Sequence, residues 1–485
     1  MAIRRALIAE NAGKLSASTL SMKKAHIGAN STPAAVGPQP LRLKVTRAIR
    51  RVGLLLTFFA DRADTQGYKS AISASSRKLI SPRVKARLKS LKQIPPPTEE
   101  CTNATHTLHR GTLFIGYAEG ALGLGQAFRA NLAAAESAGL EFSIYPFQVG
   151  IETRLIEPYM PHRYDVNNPY EVNVIEVAAD QIPVVFQTLD SKLLKNSYNI
   201  LCTYWELSKA PEEWRNNLGN IHEIWAPNKF IADAFTHVFD GPIIVMPPAM
   251  ENIDGVYPSR SHFGMTEERF YFMFSFDYYS SPFRKNPLGV LQAFQFAFPR
   301  GDENVGLVIK STGAADHHAD VKAVIEAAAA KDRRILILDR SMPREEILGL
   351  IRASDVYVSL HRAEGFGLGM AEAMTFERIV IGTDYSGCTD FLTEETGYPV
   401  PYDLRPLGAH EYPWSHGQTW AEPDQKAAIE IMRHVASNPL EAKARSKSAR
   451  EHVLRLYNPA AVGEAMRKRL AVLVAERQPA NESMR

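Results

Sequence analysis

The chain has 485 residues, 45% hydrophobic and 22% charged, which is the composition of a globular protein long enough for two or three domains. Its cysteines, Cys101, Cys202 and Cys388, are too few and too scattered for a disulfide framework or a zinc site, so we expect a reducing, cytoplasmic environment. No apolar run in the sequence reaches the ~18–20 residues that a membrane-spanning helix needs.

The formal net charge of +3 conceals a strongly basic N-terminal segment. Residues 1–105 carry 19 Lys and Arg against 5 Asp and Glu, a balance of +14, whereas the rest of the chain carries 37 against 48, a balance of −11. We predict that residues 1–105 are a partly disordered extension, because residues 1–40 are rich in Ala, Ser and Lys without a sustained hydrophobic period. A mitochondrial transit peptide has a similar composition.

Within this extension, residues 41–60 read LRLKVTRAIRRVGLLLTFFA, with five basic residues among apolar ones before an apolar run. Two interpretations stay open. A cationic amphipathic helix would lie on an anionic membrane and place the protein peripherally at its inner face. Alternatively, the helix packs on the folded body with its charges in solvent.

From residue 110 onward, strand and helix patterns alternate, which predicts α/β layers with parallel sheets. Strands are predicted at 112–117, 141–145, 198–203, 222–226 and 242–246, and helices at 124–138, 211–217 and 229–237. The proline-rich stretch 245–260 breaks this rhythm and marks a domain boundary. The first domain is therefore expected to cover residues 106–250.

The second half of the body alternates more regularly. Strands are predicted at 270–276, 304–310, 334–338, 355–359 and 378–383, and helices at 286–298, 318–330, 343–353 and 367–376. Short apolar runs such as LVIK and ILIL are typical of strands buried on both faces. We predict two Rossmann-like domains facing across a cleft, the second covering 260–420, followed by helices over 421–485 that pack back across the domains.

Ligands of open α/β sheets bind at the carboxyl ends of strands, and LHRAEGFGLGMAEAM (360–374) follows a predicted strand. Its loop enters a predicted helix whose first N–H groups would form a phosphate seat. Glu364 precedes that helix and Glu372 lies within it. Because carboxylates repel phosphate, we expect them to bind hydroxyl groups on either side of it, one on a sugar ring and one on a ribose. A tight turn followed by a solvated glutamate is the alternative.

Arg284 and Lys285 lie in FSFDYYSSPFRKNPLGVLQAF (274–294), just before a predicted helix, where the helix dipole disfavours cations. A bound anion would remove this conflict, and a solvated basic loop is the alternative. Lys310, at a predicted strand end, is a weaker candidate of the same kind.

A third candidate is the glycine-rich loop in FIGYAEGALGLGQAFRANLAAAESAG (114–139). It fits a dinucleotide fingerprint poorly, because Phe128 follows Gly123 and Gly125 where a third glycine is expected. We predict a loop that lines the cleft from the first domain. Glu206, in ILCTYWELSKAPEEW, follows another strand and either orients an acceptor hydroxyl or is a rim carboxylate.

The sequence contains no Asp-x-Asp metal clamp, no G-x-S-x-G, no Walker loop and no metal-spaced His/Cys cluster. We therefore expect neither a metal nor a cofactor.

These motifs together resemble the retaining glycosyltransferases of the GT-B fold, in the branch called glycosyl transferases group 1. The resemblance rests mainly on VSLHRAEGFGLGMAEAM followed by IGTDYSGCTDFL. RKNP (284–287), TYWELSKAPEEW, EIWAPNKF (223–230) and ALGLGQAFR (121–129) agree with it in order and spacing, so that it covers about 110–470.

The resemblance implies roles for the residues around the glycine-rich loop of the second domain. Glu364 would contact hydroxyls of the donor sugar, and Glu372 would contact the ribose. The backbone of Phe366, Gly367 and Leu368 would meet the sugar and the diphosphate.

The resemblance also implies that Arg284 and Lys285 neutralise the diphosphate and that the Gly123–Gly125 loop faces it. This sequence departs from the family at two places. Relatives often carry a glycine and a basic residue after the first strand of this domain, where this chain has FDYYSS, so Asp277 has another role and Arg284 is the candidate substitute. Cys388 stands where near relatives often have Asn, and a contact with the donor base or sugar would differ there.

The activity implied is metal-independent hexosyl transfer, with retention, from a nucleotide-sugar to a glycan, lipid-linked or other acceptor, in polysaccharide or glycolipid synthesis. No nucleic-acid partner is expected. A nucleotide-sugar epimerase of the same fold and a catalytically inactive sugar-nucleotide-binding protein stay open as alternatives.

Overall fold

The computed structural model describes residues 108–151, 155–251, 253–313 and 318–477. The extension predicted for residues 1–105, with its helix at 41–60, lies outside the described residues. Within the described ranges, no helix is both long and apolar enough to cross a membrane.

The first half of the described chain builds a six-stranded sheet, which we call the N-terminal domain together with its helices. The strands are β1 (His109–Gly116), β2 (Phe142–Pro146), β3 (Tyr170–Glu176), β4 (Tyr198–Cys202), β5 (Glu223–Ala226) and β6 (Ile243–Val245). The helices are α1 (Gly123–Ser137), α2 (Ile182–Thr188), α3 (Trp214–Asn217) and α4 (Lys229–Phe235). The strands are parallel in the order β2-β1-β3-β4-β5-β6, so the strand order reverses beside β1. A crevice at such a reversal is where open α/β sheets bind ligands.

Both faces of this sheet are buried, as the alternation along β1 shows. Leu113 and Ile115 belong to one apolar cluster, whereas Phe114 between them belongs to another on the opposite face. This follows from the period of two along a strand, and it explains why the strands carry almost no exposed residues.

The second half builds another six-stranded parallel sheet, which defines the C-terminal domain. Its strands are β7 (Phe270–Asp277), β8 (Val305–Thr312), β9 (Ile335–Asp339), β10 (Val356–Ser359), β11 (Ile379–Thr383) and β12 (Tyr398–Val400). Its helices are α5 (Pro282–Lys285), α6 (Pro287–Ala297), α7 (Ala319–Lys331), α8 (Arg344–Ala353) and α9 (Leu368–Thr375). The order β12-β11-β10-β7-β8-β9 reverses between β7 and β10, which places a second crevice at their carboxyl ends.

The remaining elements connect the two domains. An antiparallel hairpin, β13 (Tyr402–Pro406) and β14 (Thr419–Pro423), precedes α10 (Gln425–Ser437), α11 (Pro439–Tyr457) and α12 (Pro459–Arg477). Helix α12 returns to the N-terminal domain, where Val462 and Met466 pack in one cluster with Phe128 of α1. The two helices touch at Gly463, where a Cβ atom would lie 2.0 Å from the carbonyl oxygen of Ala134.

The predicted fold class is confirmed, since both halves are Rossmann-like parallel sheets with helices between the strands. Each strand and helix predicted between 110 and 383 is present, with ends shifted by a few residues. Strand β3 was not predicted, although it lies between β1 and β4. Strand β12, the short helices α2 and α5, and the β13–β14 hairpin were not predicted either. Strand β3 carries the buried polar residues Asn173 and Glu176, which interrupt its apolar run.

Candidate active site

A cleft of about 410 Å³ lies where the two crevices meet, a volume typical of small-molecule sites. The N-terminal domain lines it with the start of α1, the segment after β4 and the segment after β6. The C-terminal domain lines it with the ends of β7 and β10 and with α5, α8 and α9. The predicted site residues found in its wall are Gly123, Glu206, Arg284, Lys285, Glu364, Phe366, Gly367, Leu368 and Glu372.

Glu364 lies at the centre of a charged cluster in the cleft. Its carboxylate is 2.5 Å from the Lys285 Nζ atom and 3.2 Å from the Arg284 Nη1 atom, and all three side chains are largely buried. Burial alone would raise the pKa of Glu364, but the charges of Lys285 and Arg284 lower it to about 2. Glu364 is therefore ionised at neutral pH and presents a fixed acceptor for hydroxyl groups.

The two cations come from the last turn of α5, a position that the sequence argument did not foresee. Asn286, with φ +55°, separates α5 from α6, so Arg284 and Lys285 follow one helix and precede the next. Their conflict with the dipole of α6 is relieved by the favourable end of α5 and by Glu364, without a bound anion. Burial lowers the pKa of Lys285, and the Glu364 charge opposes this effect.

Glu372 is held in a second cluster, at the other end of the α9 wall. Arg344 donates to Glu372 and, through Nε, to Glu251 at 2.8 Å. Gln126 of α1 donates to the same Glu251 oxygen at 2.8 Å, so the cluster joins both domains. Burial raises the pKa of Glu372, and the charge of Arg344 opposes the rise. The sequence analysis did not identify Arg344 or Glu251, because their pairing is visible only in three dimensions.

The glycine-rich loop enters α9 through a backbone turn that only glycine adopts easily. Gly367 has φ +92°, and a Cβ atom there would lie 2.6 Å from the Met370 Cε atom. Phe366, beside it, packs between the rings of Phe391 and Tyr457 at 5.4 and 5.1 Å. The loop is thus fixed before any ligand arrives, and Gly367, Leu368 and Gly369 at the start of α9 line the cleft.

The two glycines predicted for the N-terminal loop have different surroundings. Gly123 begins α1 in the cleft wall, and a Cβ atom there would meet no atom within 4 Å. Gly125 is not in the wall, and its Cβ would lie 2.3 Å from the Gly120 carbonyl oxygen. Arg129 donates to the carbonyl oxygens of Ala118 and Gly120 at 3.2 and 2.9 Å. Gly125 therefore allows close packing within the glycine-rich loop of the N-terminal domain, and the hydrogen bonds from Arg129 stabilise this loop.

Glu206 faces the cations from the N-terminal domain. Its carboxylate is 3.7 Å from the Arg284 Nη2 atom and accepts a 2.7 Å hydrogen bond from the Tyr412 hydroxyl. Tyr412 comes from the β13–β14 hairpin, and its ring lies 6.0 Å from the Arg284 guanidinium. Because the hairpin was not predicted, this partner of Glu206 was missed.

Lys310 and Asp277, both discussed from the sequence, differ in whether they line the cleft. Lys310 lies within β8, which continues to Thr312, so it is not at a strand end, and it does not line the cleft. Burial lowers its pKa, while Asp277 and Asp339 oppose this. Asp277 does line the cleft and accepts the Tyr279 N–H at 2.9 Å.

Cys388 is fully buried behind the glycine-rich loop and does not line the cleft. Its sulfur lies 3.5 Å from the His361 Nε2 atom, and burial raises the pKa of the thiol. Direct contact with a donor base or sugar does not fit this position. In the part of the chain that the structure describes, no three His, Cys, Asp or Glu side chains are grouped to hold a metal ion.

Comparisons with known proteins agree with this geometry. Residues 280–402 match the family model described as glycosyl transferases group 1. A search of curated proteins gave no match. Among solved structures, the chain is similar to sucrose-phosphate synthase from Thermosynechococcus elongatus, with a TM-score of 0.56 and 16% identity over 76% of this chain and 100% of that chain.

The chain is also similar to HepE from Anabaena in complex with UDP and glucose, with a TM-score of 0.54 and 13% identity over 75% of this chain and 100% of that chain. A weaker likeness, with a TM-score of 0.45 and 14% identity, links 61% of this chain to 54% of S. aureus TarM. The first two likenesses establish the two-domain fold. The family match covers residues 280–402, which include Arg284, Lys285 and Glu364, so this part of the chain is similar to glycosyl transferases group 1.

Proposed function

We propose that this protein is a nucleotide-sugar glycosyltransferase that moves a hexosyl group to a glycan, lipid-linked or other hydroxyl acceptor with retention of anomeric configuration. The observation that carries the proposal is the meeting of Glu364, Glu372, Arg284 and Lys285 in one cleft beside the start of α9.

The donor would lie along the C-terminal wall of the cleft. Glu372 would accept from the ribose hydroxyls, and the N–H groups at the start of α9 would favour the diphosphate. Glu364, on the other side of that helix start, would accept from hydroxyls of the sugar ring. HepE, which shares the fold, binds UDP and glucose.

Arg284 and Lys285 would stabilise the leaving group. When the bond between the anomeric carbon and the phosphate oxygen breaks, negative charge grows on the diphosphate. A unit charge at about 4 Å is worth on the order of 4 kcal/mol at an effective dielectric near 20. Two fixed cations and the start of α9 therefore supply charge that many transferases take from a divalent metal, which supports metal independence.

Retention would follow from attack on the same face of the sugar. The acceptor oxygen bonds to the anomeric carbon, the bond to the diphosphate breaks, and the acceptor proton passes to the leaving phosphate oxygen. This route needs no protein nucleophile, and it is the route that the family resemblance implies. The cleft between two domains would exclude water from the reaction.

The proposal is tested by screening purified protein against UDP-, GDP- and dTDP-sugars, first by thermal shift and then for nucleoside-diphosphate release. A transferase releases the diphosphate faster when acceptor is added, and NMR of the product reports its anomeric configuration. An epimerase would convert the sugar without acceptor-dependent release. Thermal stabilisation without turnover would leave only a binding protein. The membrane role of residues 41–60 would show as binding of the full chain to anionic vesicles.

A further inference from the structure

Asn228 lies at the junction between β5 and α4, in the segment EIWAPNKF, and its side chain is fully buried. Its Oδ1 atom accepts the N–H of Ile231 at 2.9 Å, which is an ordinary helix N-cap. A capping residue usually needs no more than this oxygen, so the amide nitrogen on the same side chain is available for another purpose.

The amide nitrogen of Asn228 crosses to the C-terminal domain. It donates to the carbonyl oxygen of Gly365 at 2.6 Å and lies 3.3 Å from the carbonyl oxygen of Gly387. The packing here is tight, because a Cβ atom at Gly387 would lie 2.1 Å from the Gly365 oxygen and 2.7 Å from the Asn228 nitrogen. The contact is therefore a tightly packed interdomain hydrogen bond at Gly365, the residue that follows Glu364.

Hydrogen bonds hold the backbone on both sides of Glu364. Its N–H donates to the Ser386 Oγ atom at 2.8 Å, and its carbonyl oxygen accepts the Gly387 N–H at 2.9 Å. The preceding carbonyl, of Ala363, accepts from Arg284 at 2.8 Å. These partners belong to the C-terminal domain, whereas Asn228, which holds the following carbonyl, belongs to the N-terminal domain.

We propose that Asn228 is an interdomain positioning residue, which aligns the Glu364 loop when the N-terminal domain is seated on the C-terminal domain. Closure of the cleft and alignment of the donor-binding carboxylate are then one event. The inference rests on the proposed glycosyl transfer for its catalytic consequence. A buried carbonyl that loses its donor is costly, and small displacements of a positioned group lower turnover strongly.

Two substitutions separate this role from helix capping. Asn228→Ser keeps a capping oxygen but lacks the amide that reaches Gly365. Asn228→Asp keeps the capping oxygen and sets a carboxylate oxygen against two carbonyls. The control is Lys229→Ala, which removes an exposed ion pair with Asp233 on the same helix. It also removes the Lys229 charge near Asp390 of the C-terminal domain, but it keeps the backbone N–H of residue 229 that Asp390 accepts.

We expect Asn228→Ser to fold and to lower kcat by roughly 10-fold or more, with the donor KM changed by about 2-fold at most. The share of donor lost to water should rise relative to transfer, because the loop and the closed cleft are no longer coupled. Asn228→Asp should lower kcat at least as far, and Lys229→Ala should match the wild type.

Hydrogen exchange gives a readout that does not depend on activity. Amides of 364–368 and 386–388 should exchange faster in Asn228→Ser than in the wild type or in Lys229→Ala, while those of α4 stay unchanged. Wild-type kcat and wild-type loop exchange in folded Asn228→Ser would overturn the proposal, and so would faster exchange confined to α4. If the wild type transfers no sugar but the loop exchange changes as expected, the proposed function fails and the positioning role stands.

Discussion

Replacing Lys285 with Met removes the cation nearest to Glu364 while keeping most of the side-chain volume. If Lys285 stabilises the leaving diphosphate, its interaction is stronger in the transition state than in the ground state. Its Coulomb contribution near 4 Å is on the order of 4 kcal/mol at an effective dielectric near 20. Loss of one such stabiliser lowers kcat by roughly 10²–10³. Affinity for the nucleoside diphosphate should fall as well, since this product carries the same charge.

The same substitution should change the pH dependence of the residual activity. In the wild type, Lys285 and Arg284 hold the pKa of Glu364 at about 2, so its carboxylate is ionised across the working range. Without Lys285, the largest of the charges that lower the pKa of Glu364 is gone while burial still raises it, so this pKa rises. The protonated carboxyl is a poorer acceptor, so kcat of Lys285→Met should climb with pH through the raised pKa. The kcat of the wild type should show no such rise with pH.

Steady-state kinetics on Lys285→Met and Lys310→Met decide which of the two lysines stabilises the leaving diphosphate. Lys310 lies within β8 outside the cleft wall, so its replacement should alter stability more than turnover. The reasoning would be refuted if turnover were unchanged in Lys285→Met and nearly lost in Lys310→Met. The RKNP segment would then be only a basic loop at the rim of the cleft.

Other predictions follow from the same contacts. Glu372→Gln should raise the donor KM by roughly 10-fold with a smaller effect on kcat, as measured by donor titrations, because it removes ground-state binding. Treatment with EDTA should leave turnover unchanged, and loss of activity restored by manganese or magnesium would contradict the electrostatic account. Burial raises the pKa of Glu176 from 4.5 to about 8, so the folded state holds its proton more tightly. The free energy of unfolding contributed by Glu176 is full below pH 4.5 and falls as pH rises to about 8. In denaturation experiments, the free energy of unfolding of Glu176→Gln should fall less over this pH range than that of the wild type, by at most ~5 kcal/mol. If the variant is as pH-dependent as the wild type, the assignment is wrong.

Local patterns foretell much of the fold and part of the site. Parallel strands present their carboxyl ends at one edge, so the segments after β7 and β10 had to meet, and with them Lys285 and Glu364. The glycines before α9 predicted a constrained loop, and Gly367 has the positive φ that such a turn requires. The chemical roles of these residues stay predictions.

The missed features depend on contacts between distant parts of the chain. Asn228 and Gly365 are 137 positions apart, and no local period announces their hydrogen bond. Arg344 looks like an ordinary charged residue at a helix start until α9 and α1 are brought beside it. Strand β3 was missed because Asn173 looks polar in sequence, although the Leu193 carbonyl and the Asn199 side chain accept from its amide nitrogen in the core.

The most direct test of the central claim compares wild-type protein with Glu364→Gln for acceptor-dependent release of nucleoside diphosphate. Gln keeps the size of the side chain but lacks the charge that pairs with Lys285 and Arg284, so the donor sugar and both cations lose a fixed partner. The account predicts sugar transfer by the wild type and nearly complete loss in the variant, which should fold and retain nucleoside-diphosphate binding. Equal transfer by the two proteins, or none by the wild type with any nucleotide-sugar that it binds, would contradict the account.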